Sequence, residues 1–376
     1  MPPFVAEVDL DAIRGNVAEL RRRAGSAEVM AVVKADAYGH GLVPSARAAV
    51  DAGAGWLGVA FIDEALALRA AGVAIPLLSW LVDRESDIAG AVRAGVDLSV
   101  SAEWTLDLIS AAARETGRVA RVHLKADTGL ARAGAYGADW PALVDAVAKH
   151  AADGDVEVIG IWSHLAHADD PGHPTVERQR ALFVEALDVA AKAGVHPQVR
   201  HLANSAATLV LPDTHFDVVR PGVAVYGLSP GRQVGSTTEL GLRPAMRLRA
   251  PVALVKKVGA GQGVSYGHRY HTAASTSLAL VPIGYADGIP RQATNVGPVQ
   301  INGKRYVVSG TVCMDQFVVD VGADAVAVGD DVVLFGPGDD GEPTADDWAD
   351  AIGTINYEIV TRIGPRVPRV YVGSPT

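Results

Sequence analysis

The chain has 376 residues, 49% of them hydrophobic and 20% charged, which supplies two sizeable cores and excludes wholesale disorder. Its 33 Lys and Arg stand against 43 Asp and Glu, a formal charge of -10 that argues against sequence-independent binding to nucleic acid or to an anionic membrane. The uncharged run 70–82 contains Pro76 and falls short of the about 20 residues a spanning helix needs, and the opening MPPFVAEVDLDAI carries no basic, apolar leader. A single cysteine, Cys313, excludes an intramolecular disulfide and any multi-cysteine metal cluster. The expectation is a soluble, cytoplasmic protein.

Short apolar runs alternate with amphipathic ones through the first two thirds. Eight strands are expected: Val29–Val33, Trp56–Ala60, Ile75–Ser79, Val96–Val100, Val119–Ala126, Val156–Trp162, Gln198–Leu202 and Phe216–Arg220. Helical patterns lie between them, among them Asp63–Ala71, Ala102–Glu115, Trp140–Ala152 and Thr175–Ala193. Gly53, Gly72, Gly95, Gly117 and Gly194 sit where helix C-caps belong. Eight strand–helix repeats predict a parallel (β/α)8 barrel over 9–235, with a doubly wound open sheet as the alternative. The Gly- and Ser-containing stretch 230–241 reads as a linker. Beyond it the runs Val252–Val258, Ser277–Val281, Lys304–Val308, Phe317–Val321, Val332–Phe335 and Arg369–Val372 predict a mostly β domain over 240–376. Thr344 and Asp347 resemble a capping pair that opens a helix. The first run, Phe4–Val8, precedes the first helix and is expected to pair outside the barrel, with the second domain.

Ionisable residues collect at the ends of the eight strands. Lys34 follows Val29–Val33 and leads into Ala35-Asp36-Ala37-Tyr38-Gly39-His40-Gly41, at the face where barrel enzymes keep their sites. Taken alone it reads as a strand-end lysine reaching solvent. The neighbouring strand ends offer Lys125 and Arg132, then His164, then His201, Asn204 and Ser205, then Arg220, Gly222 and Val223. Asn204 and Ser205 with the N–H groups of Gly222 and Val223 suit a phosphate, although each pair singly reads as a cap or turn. A lysine together with a phosphate cup at a barrel mouth points to pyridoxal 5'-phosphate. The histidines of Ser163–Asp170 read as solvated loop residues, so no metal is expected, and Gly259–Gly263 lacks the following helix of a dinucleotide loop.

These residues resemble the alanine racemase family over nearly the whole chain. The resemblance rests on Ala31–Gly41, Lys125–Gly129, Ala203–Ala206, Arg220–Gly222, Val264–Gly267, Gly284–Gly288, Cys313–Gln316 and Thr354–Glu358. It implies that Lys34 carries the cofactor as its aldimine and is one of two catalytic bases. Tyr266, contributed by the second domain of a partner subunit, is the other, so the resemblance implies a homodimer with composite sites. It further implies that His164 supports Tyr266, that Arg220 faces the pyridine nitrogen with His201 behind it, and that Arg132 reaches the phenolic oxygen. Tyr38, Ser205, Gly222, Val223 and Tyr357 hold the phosphate by the same resemblance, with Lys125 as a carbamylation site. Met314 offers its N–H to the substrate carboxylate, and Tyr285 with Asp315 narrows the entrance. Two departures stand out. The chain has Leu130-Ala131-Arg132-Ala133-Gly134 where the family commonly has Met-Gly-Arg-Leu-Gly, and Thr311 where it often has arginine.

The activity so implied is interconversion of L- and D-alanine, supplying D-alanine for peptidoglycan. A charged Arg220 at the pyridine nitrogen would keep that nitrogen unprotonated and weaken the ring as an electron sink, which favours racemisation over transamination. One rival is an amino-acid decarboxylase on a related barrel, where a carboxylate would be expected in place of Arg220. Another is a non-catalytic pyridoxal phosphate carrier, which would have no use for Tyr266 and Met314.

Overall fold

The computed structural model describes residues 4–374, and their contacts divide into two compact units. One comprises 13–37 and 42–242; the other comprises the N-terminal segment to Ala12, Tyr38–Gly41 and the chain from Arg243. The first strand, β1 (Val5–Asp9), belongs to the latter.

The larger unit holds eight parallel strands: β2 (Glu28–Val32), β3 (Trp56–Phe61), β4 (Leu77–Leu81), β5 (Asp97–Val100), β6 (Ala120–Lys125), β7 (Val156–Trp162), β8 (Val199–His201) and β9 (Val218–Val219). Their order runs β8-β7-β6-β5-β4-β3-β2-β9. The two ends meet through Asp217 N–H to the Arg200 carbonyl at 3.0 Å and Arg220 N–H to the Ala203 carbonyl at 2.9 Å, so the sheet is a barrel and not an open sheet. Helices cover it on the outside, including Ile62–Ala70, Glu103–Thr116, Asp139–Ala152 and Pro174–Lys192. Runs such as Val29–Val32 are buried on both faces, which is why they are continuously apolar rather than alternating. Met30, Trp56, Leu78, Ile159 and Val218 form an interior cluster. Each fully buried side chain of this size contributes about 1.5–3 kcal/mol of transfer free energy. The glycines expected as C-caps, Gly53, Gly72, Gly95, Gly117 and Gly194, all have φ between 63° and 92°.

In the smaller unit a six-stranded sheet has the order β16-β15-β18-β10-β1-β19, beside a three-stranded sheet β11-β14-β17 and a hairpin β12-β13. The strands are β10 (Met246–Pro251), β11 (Leu254–Val258), β12 (Gly263–Val264), β13 (Tyr270–His271), β14 (Thr276–Val281), β15 (Pro298–Ile301), β16 (Lys304–Val307), β17 (Phe317–Gly322), β18 (Asp331–Phe335) and β19 (Arg369–Val372). β1 pairs antiparallel with β10 and parallel with β19, so the opening run does pair outside the barrel. The expected strand Val252–Val258 is a correction. Val252 N–H bonds Asp330 and Ala253 N–H bonds Leu280, and this corner sends β10 and β11 into different sheets. β15 was also unforeseen; it joins β16 through Asn302 (φ 49°) and Gly303 (φ 75°), a two-residue turn that needs left-handed backbone at both positions. Thr344 and Asp347 form the expected reciprocal cap on the helix Ala345–Ile352.

Candidate active site

β2 delivers Lys34 to the C-terminal rim of the barrel, and the next four residues, none of them glycine, are left-handed. Ala35 (φ 53°, ψ 52°), Asp36 (53°, 46°) and Ala37 (55°, 50°) are followed by Tyr38 at φ 54°. Each costs about 1–2 kcal/mol relative to right-handed backbone, so the turn persists only because its surroundings fix it. Glu64 is the main clamp. Its carboxylate accepts the N–H of Ala35 at 2.6 Å and those of Ala60 and Phe61 at 3.0 and 3.2 Å. Asp36 accepts from Leu42 N–H at 2.7 Å, and the Tyr226 hydroxyl donates to the Val32 carbonyl at 3.0 Å. At Gly39 a side chain is excluded, since a Cβ would lie 2.5 Å from the Val360 carbonyl oxygen.

Lys34 lies 5.7 Å from the Trp80 ring centre. Burial, helped by the Arg132 charge, lowers its pKa from the ordinary lysine value and outweighs Glu64. Lys125, the last residue of β6, stands 4.2 Å over Trp162; burial and then the charges of Arg132, Arg220 and Lys34 bring its amine down to about 8. Arg132 sits on the loop 127–135. Asp127 shapes that loop by accepting the N–H groups of Gly129, Leu130 and Ala131 at 2.9, 3.0 and 3.2 Å. Arg132 itself is exposed and pairs with no carboxylate among the described residues. Ala131, where the family commonly has glycine, is left-handed at φ 56°. Ala131→Gly should therefore stabilise the protein by about 0.5–1 kcal/mol after glycine's larger unfolded-state entropy is charged against it. Calorimetry should read a Tm rise of about 1 °C; a lower Tm would contradict this reading of the loop.

Arg220, 4% exposed, is held from several sides. Its NH1 donates to His201 Nδ1 at 3.0 Å, and its NH2 to the Ser163 and Leu202 carbonyls at 2.6 and 3.1 Å and to His164 Nδ1 at 3.3 Å. None of these contacts uses Nε. Burial lowers its pKa to about 9, still above neutral pH, so the guanidinium keeps its charge. Burial and then Arg220, Arg132, Lys125 and Lys34 push His164 well below its usual value. His164 is neutral, and because Nδ1 accepts from Arg220 the proton sits on Nε2.

Asn204, Ser205, Gly222 and Val223, expected to form a phosphate cup, lie together at the rim, and their polar groups are engaged locally. Asn204 Oδ1 accepts Ala207 N–H at 3.2 Å and caps the helix Ser205–Val210. Ser205 Oγ accepts from Gly222 N–H at 2.8 Å and Ala224 N–H at 3.4 Å, with Val223 between those donors. His173, from the histidine-rich loop, caps the helix Pro174–Lys192 and stacks on His167 at 3.9 Å.

The other expected residues lie in the smaller unit. Tyr266 opens a one-turn 3-10 segment and is 74% exposed. Thr311 donates through Oγ1 to the Tyr266 carbonyl at 2.7 Å, and Ser265 donates to the Thr311 carbonyl at 2.6 Å. Thr311 is thus a brace for Tyr266. Tyr285 N–H bonds the Cys313 carbonyl and Ala286 N–H the Met314 carbonyl, which ties the remaining loops together. Asp315 pairs with Arg366 at 2.8 Å. The Tyr38 and Tyr357 rings are 6.3 Å apart.

Several residues that shape the site were not foreseen. Glu64 is one. Gln179, fully buried, donates to Thr128 Oγ1 and to the His164 carbonyl and accepts Ala166 N–H, which fixes His164 in place. Trp162 stacks on His201 at 5.7 Å, and Asp97 and His123 lie behind His201. The visible signal was polarity inside apolar strands, as in Val122-His123-Leu124.

A lysine with a lowered pKa among cations that outnumber the neighbouring Glu64 and Asp127, at the C-terminal rim of a parallel barrel, suits an enzyme of amine chemistry on an anionic ligand. Comparison makes this specific. Residues 8–230 match the family model "Alanine racemase, N-terminal domain" and 245–371 match "Alanine racemase, C-terminal domain". An alanine racemase of Frankia casuarinae is 65% identical over 367 residues, 98% of this chain and 96% of its own length. The crystal structure of alanine racemase from D-cycloserine producing Streptomyces lavendulae matches with a TM-score of 0.98 at 56% identity, covering 100% of this chain and 98% of that one. That of Bacillus anthracis alanine racemase with bound L-Ala-P gives a TM-score of 0.90 at 36% identity, covering 99% and 96%. The chain belongs to the alanine racemase family, isomerases that interconvert L- and D-alanine.

Proposed function

We propose that the protein racemises alanine by two-base proton transfer with pyridoxal 5'-phosphate held at Lys34, in a homodimer whose sites each draw on both subunits. The observation that carries this is the cluster of Lys34, Lys125, Arg132 and Arg220. Their charges depress one another's neighbours and are opposed mainly by Glu64 and Asp127, a field suited to a phosphate-bearing ligand with a phenolic oxygen. When bound, pyridoxal phosphate supplies an electron-withdrawing ring that acidifies the α C–H of an attached amino acid. Ser205, Gly222 and Val223 would hold its phosphate, with Tyr38 and Tyr357 assigned there by family resemblance and Asn204 ordering the adjoining helix.

Lys34 Nζ takes and returns the proton at one face of the α-carbon, its lowered pKa leaving it readier to act as a base. The partner subunit's Tyr266 serves the opposite face. The neutral His164 offers that phenol an Nε2–H donor backed by the Arg220 charge. Arg220 stays charged and would keep a ring nitrogen held beside it unprotonated. Arg132 would bind the phenolic oxygen. Lys125, with a pKa of about 8, has the free-amine fraction that adds carbon dioxide, and the resulting carbamate would orient Arg132. Met314 N–H would take the substrate carboxylate, with Tyr285 and Asp315 at the entrance. The bound L-Ala-P of the Bacillus anthracis enzyme supports an alanine-sized pocket. The product D-alanine would feed peptidoglycan synthesis in the cytoplasm.

Incubating the purified protein with L-alanine should yield D-alanine by chiral chromatography, and borohydride should fix the cofactor's mass on Lys34 by peptide mass spectrometry. Label on another lysine would overturn the assignment of Lys34. Loss of carbon dioxide in place of racemisation would favour the decarboxylase.

A further inference from the structure

Behind Arg220 the barrel interior contains a continuous polar chain where apolar side chains would be cheaper. Asp97, His123, His201 and Arg220 are 1%, 0%, 0% and 4% exposed. Arg220 NH1 meets His201 Nδ1 at 3.0 Å, His201 Nε2 meets His123 Nδ1 at 2.8 Å, and His123 Nε2 meets Asp97 Oδ2 at 3.2 Å. Arg121 closes the far end, donating to Asp97 Oδ1 at 2.6 Å and Oδ2 at 3.2 Å. The chain rises from the first residue of β5 to the rim just beyond β9. Its packing is specific. Trp162 stacks on His201 and Trp56 meets His123 edge-on, while β7 has Gly160, where a Cβ would lie 2.2 Å from His123 Nδ1.

We propose that Asp97 and His123 are positioning residues for racemisation, forming with His201 a one-way hydrogen-bond relay that fixes the histidine tautomers and so holds Arg220 in place. This rests on the function proposed above. The direction follows from hydrogen counting. A guanidinium only donates, so His201 Nδ1 accepts and its hydrogen is on Nε2. That hydrogen points at His123 Nδ1, which must accept, leaving His123 protonated on Nε2 toward a carboxylate that only accepts. Every ring nitrogen of the pair is used and every donor points toward Asp97. Burial pushes the Asp97 carboxyl up, but hydrogen bonds from His123 and Arg121 outweigh it and keep it below the usual range. Burial and the Arg220 charge push His201 well below its usual value, which keeps it a neutral acceptor.

Asp97→Asn tests the relay without changing its volume. Arg121 would claim the amide oxygen, turning the NH2 toward His123 Nε2. His123 and then His201 must reverse tautomer, and His201 would present a hydrogen to Arg220. In holoenzyme labelled with 15N-histidine, NMR should find His123 and His201 protonated on Nε2 in the wild type and on Nδ1 in Asp97→Asn. Alanine racemisation should fall by on the order of 10²–10⁴-fold in kcat, the range a wrong tautomer or lost acid–base group produces. His123→Gln, whose amide accepts from His201 and donates to Asp97, should lose at least about tenfold less than His123→Leu, since only the former preserves the direction. Wild-type His201 protonated on Nδ1 or on both nitrogens would overturn the proposal even if no variant folded. So would Asp97→Asn with unchanged tautomers and unchanged kcat. Absence of racemisation in the wild type would instead sink the proposed function, leaving the tautomers to be judged by NMR alone.

Discussion

Lys34→Ala and Tyr266→Phe proteins should each be nearly inactive as racemases, yet an equal mixture should recover about a quarter of wild-type activity once subunits exchange. In a two-fold symmetric dimer with composite sites, half the dimers in such a mixture are mixed. Each mixed dimer carries one site with both lesions and one with neither. The expectation comes from the resemblance to the alanine racemase family, which assigns Tyr266 to a partner subunit's site, and the smaller unit's surface is compatible with it. Tyr266 is 74% exposed and Met314 52% exposed, on loops that internal hydrogen bonds hold in shape. A phenol so braced and so exposed is what the proposed composite site requires. Activity should be followed as D-alanine formation, with subunit exchange verified by native mass spectrometry of differently tagged chains. No recovery despite exchange would mean that both bases come from one chain, and the dimeric site would have to be abandoned.

The barrel was legible because its strands are buried on both faces. Runs such as Val29–Val33 and Trp56–Ala60 have no polar alternation to confuse them, and glycine closes the helices between them with a left-handed residue. The second unit was harder. Val252–Val258 is apolar enough to read as one strand, and only the pairing partners of Val252 and Ala253 reveal a corner. The rim residues were legible as a set through their positions at strand ends. What makes them work was not, because it depends on partners distant in sequence. Ala35-Asp36-Ala37 carries no glycine to announce left-handed backbone, and its clamp Glu64 lies 29 residues from Ala35. The relay joins residues 26, 78 and 19 positions apart, so His123 reads as an oddity until the barrel closes around it. Asn204 shows the opposite case, since the helix cap that sequence offered as its plainer role is what its side chain performs.

Tyr266→Phe should also separate the two faces of the substrate. If Lys34 serves the α-proton of D-alanine and the partner subunit's Tyr266 that of L-alanine, removing the phenolic oxygen takes away one base and leaves the other. Exchange of the α-proton should then slow far more from L-alanine than from D-alanine, by the about 10²- to 10⁴-fold that a positioned general base contributes. The lysine half-reaction has its own support, since burial and Arg132 lower the Lys34 pKa without reference to Tyr266. The measurement must be single-turnover exchange in deuterated water. Net racemisation cannot show the asymmetry, because forward and reverse rates are tied to one equilibrium constant whatever the enzyme. Thr311→Val offers an independent approach to the same asymmetry. It removes the hydroxyl that donates to the Tyr266 carbonyl at 2.7 Å while leaving the phenol intact, so the L-alanine exchange should weaken in the same sense but to a smaller degree. Equal losses from both enantiomers in Tyr266→Phe would instead require a single base that reaches both faces, and the division of labour between Lys34 and Tyr266 would fall.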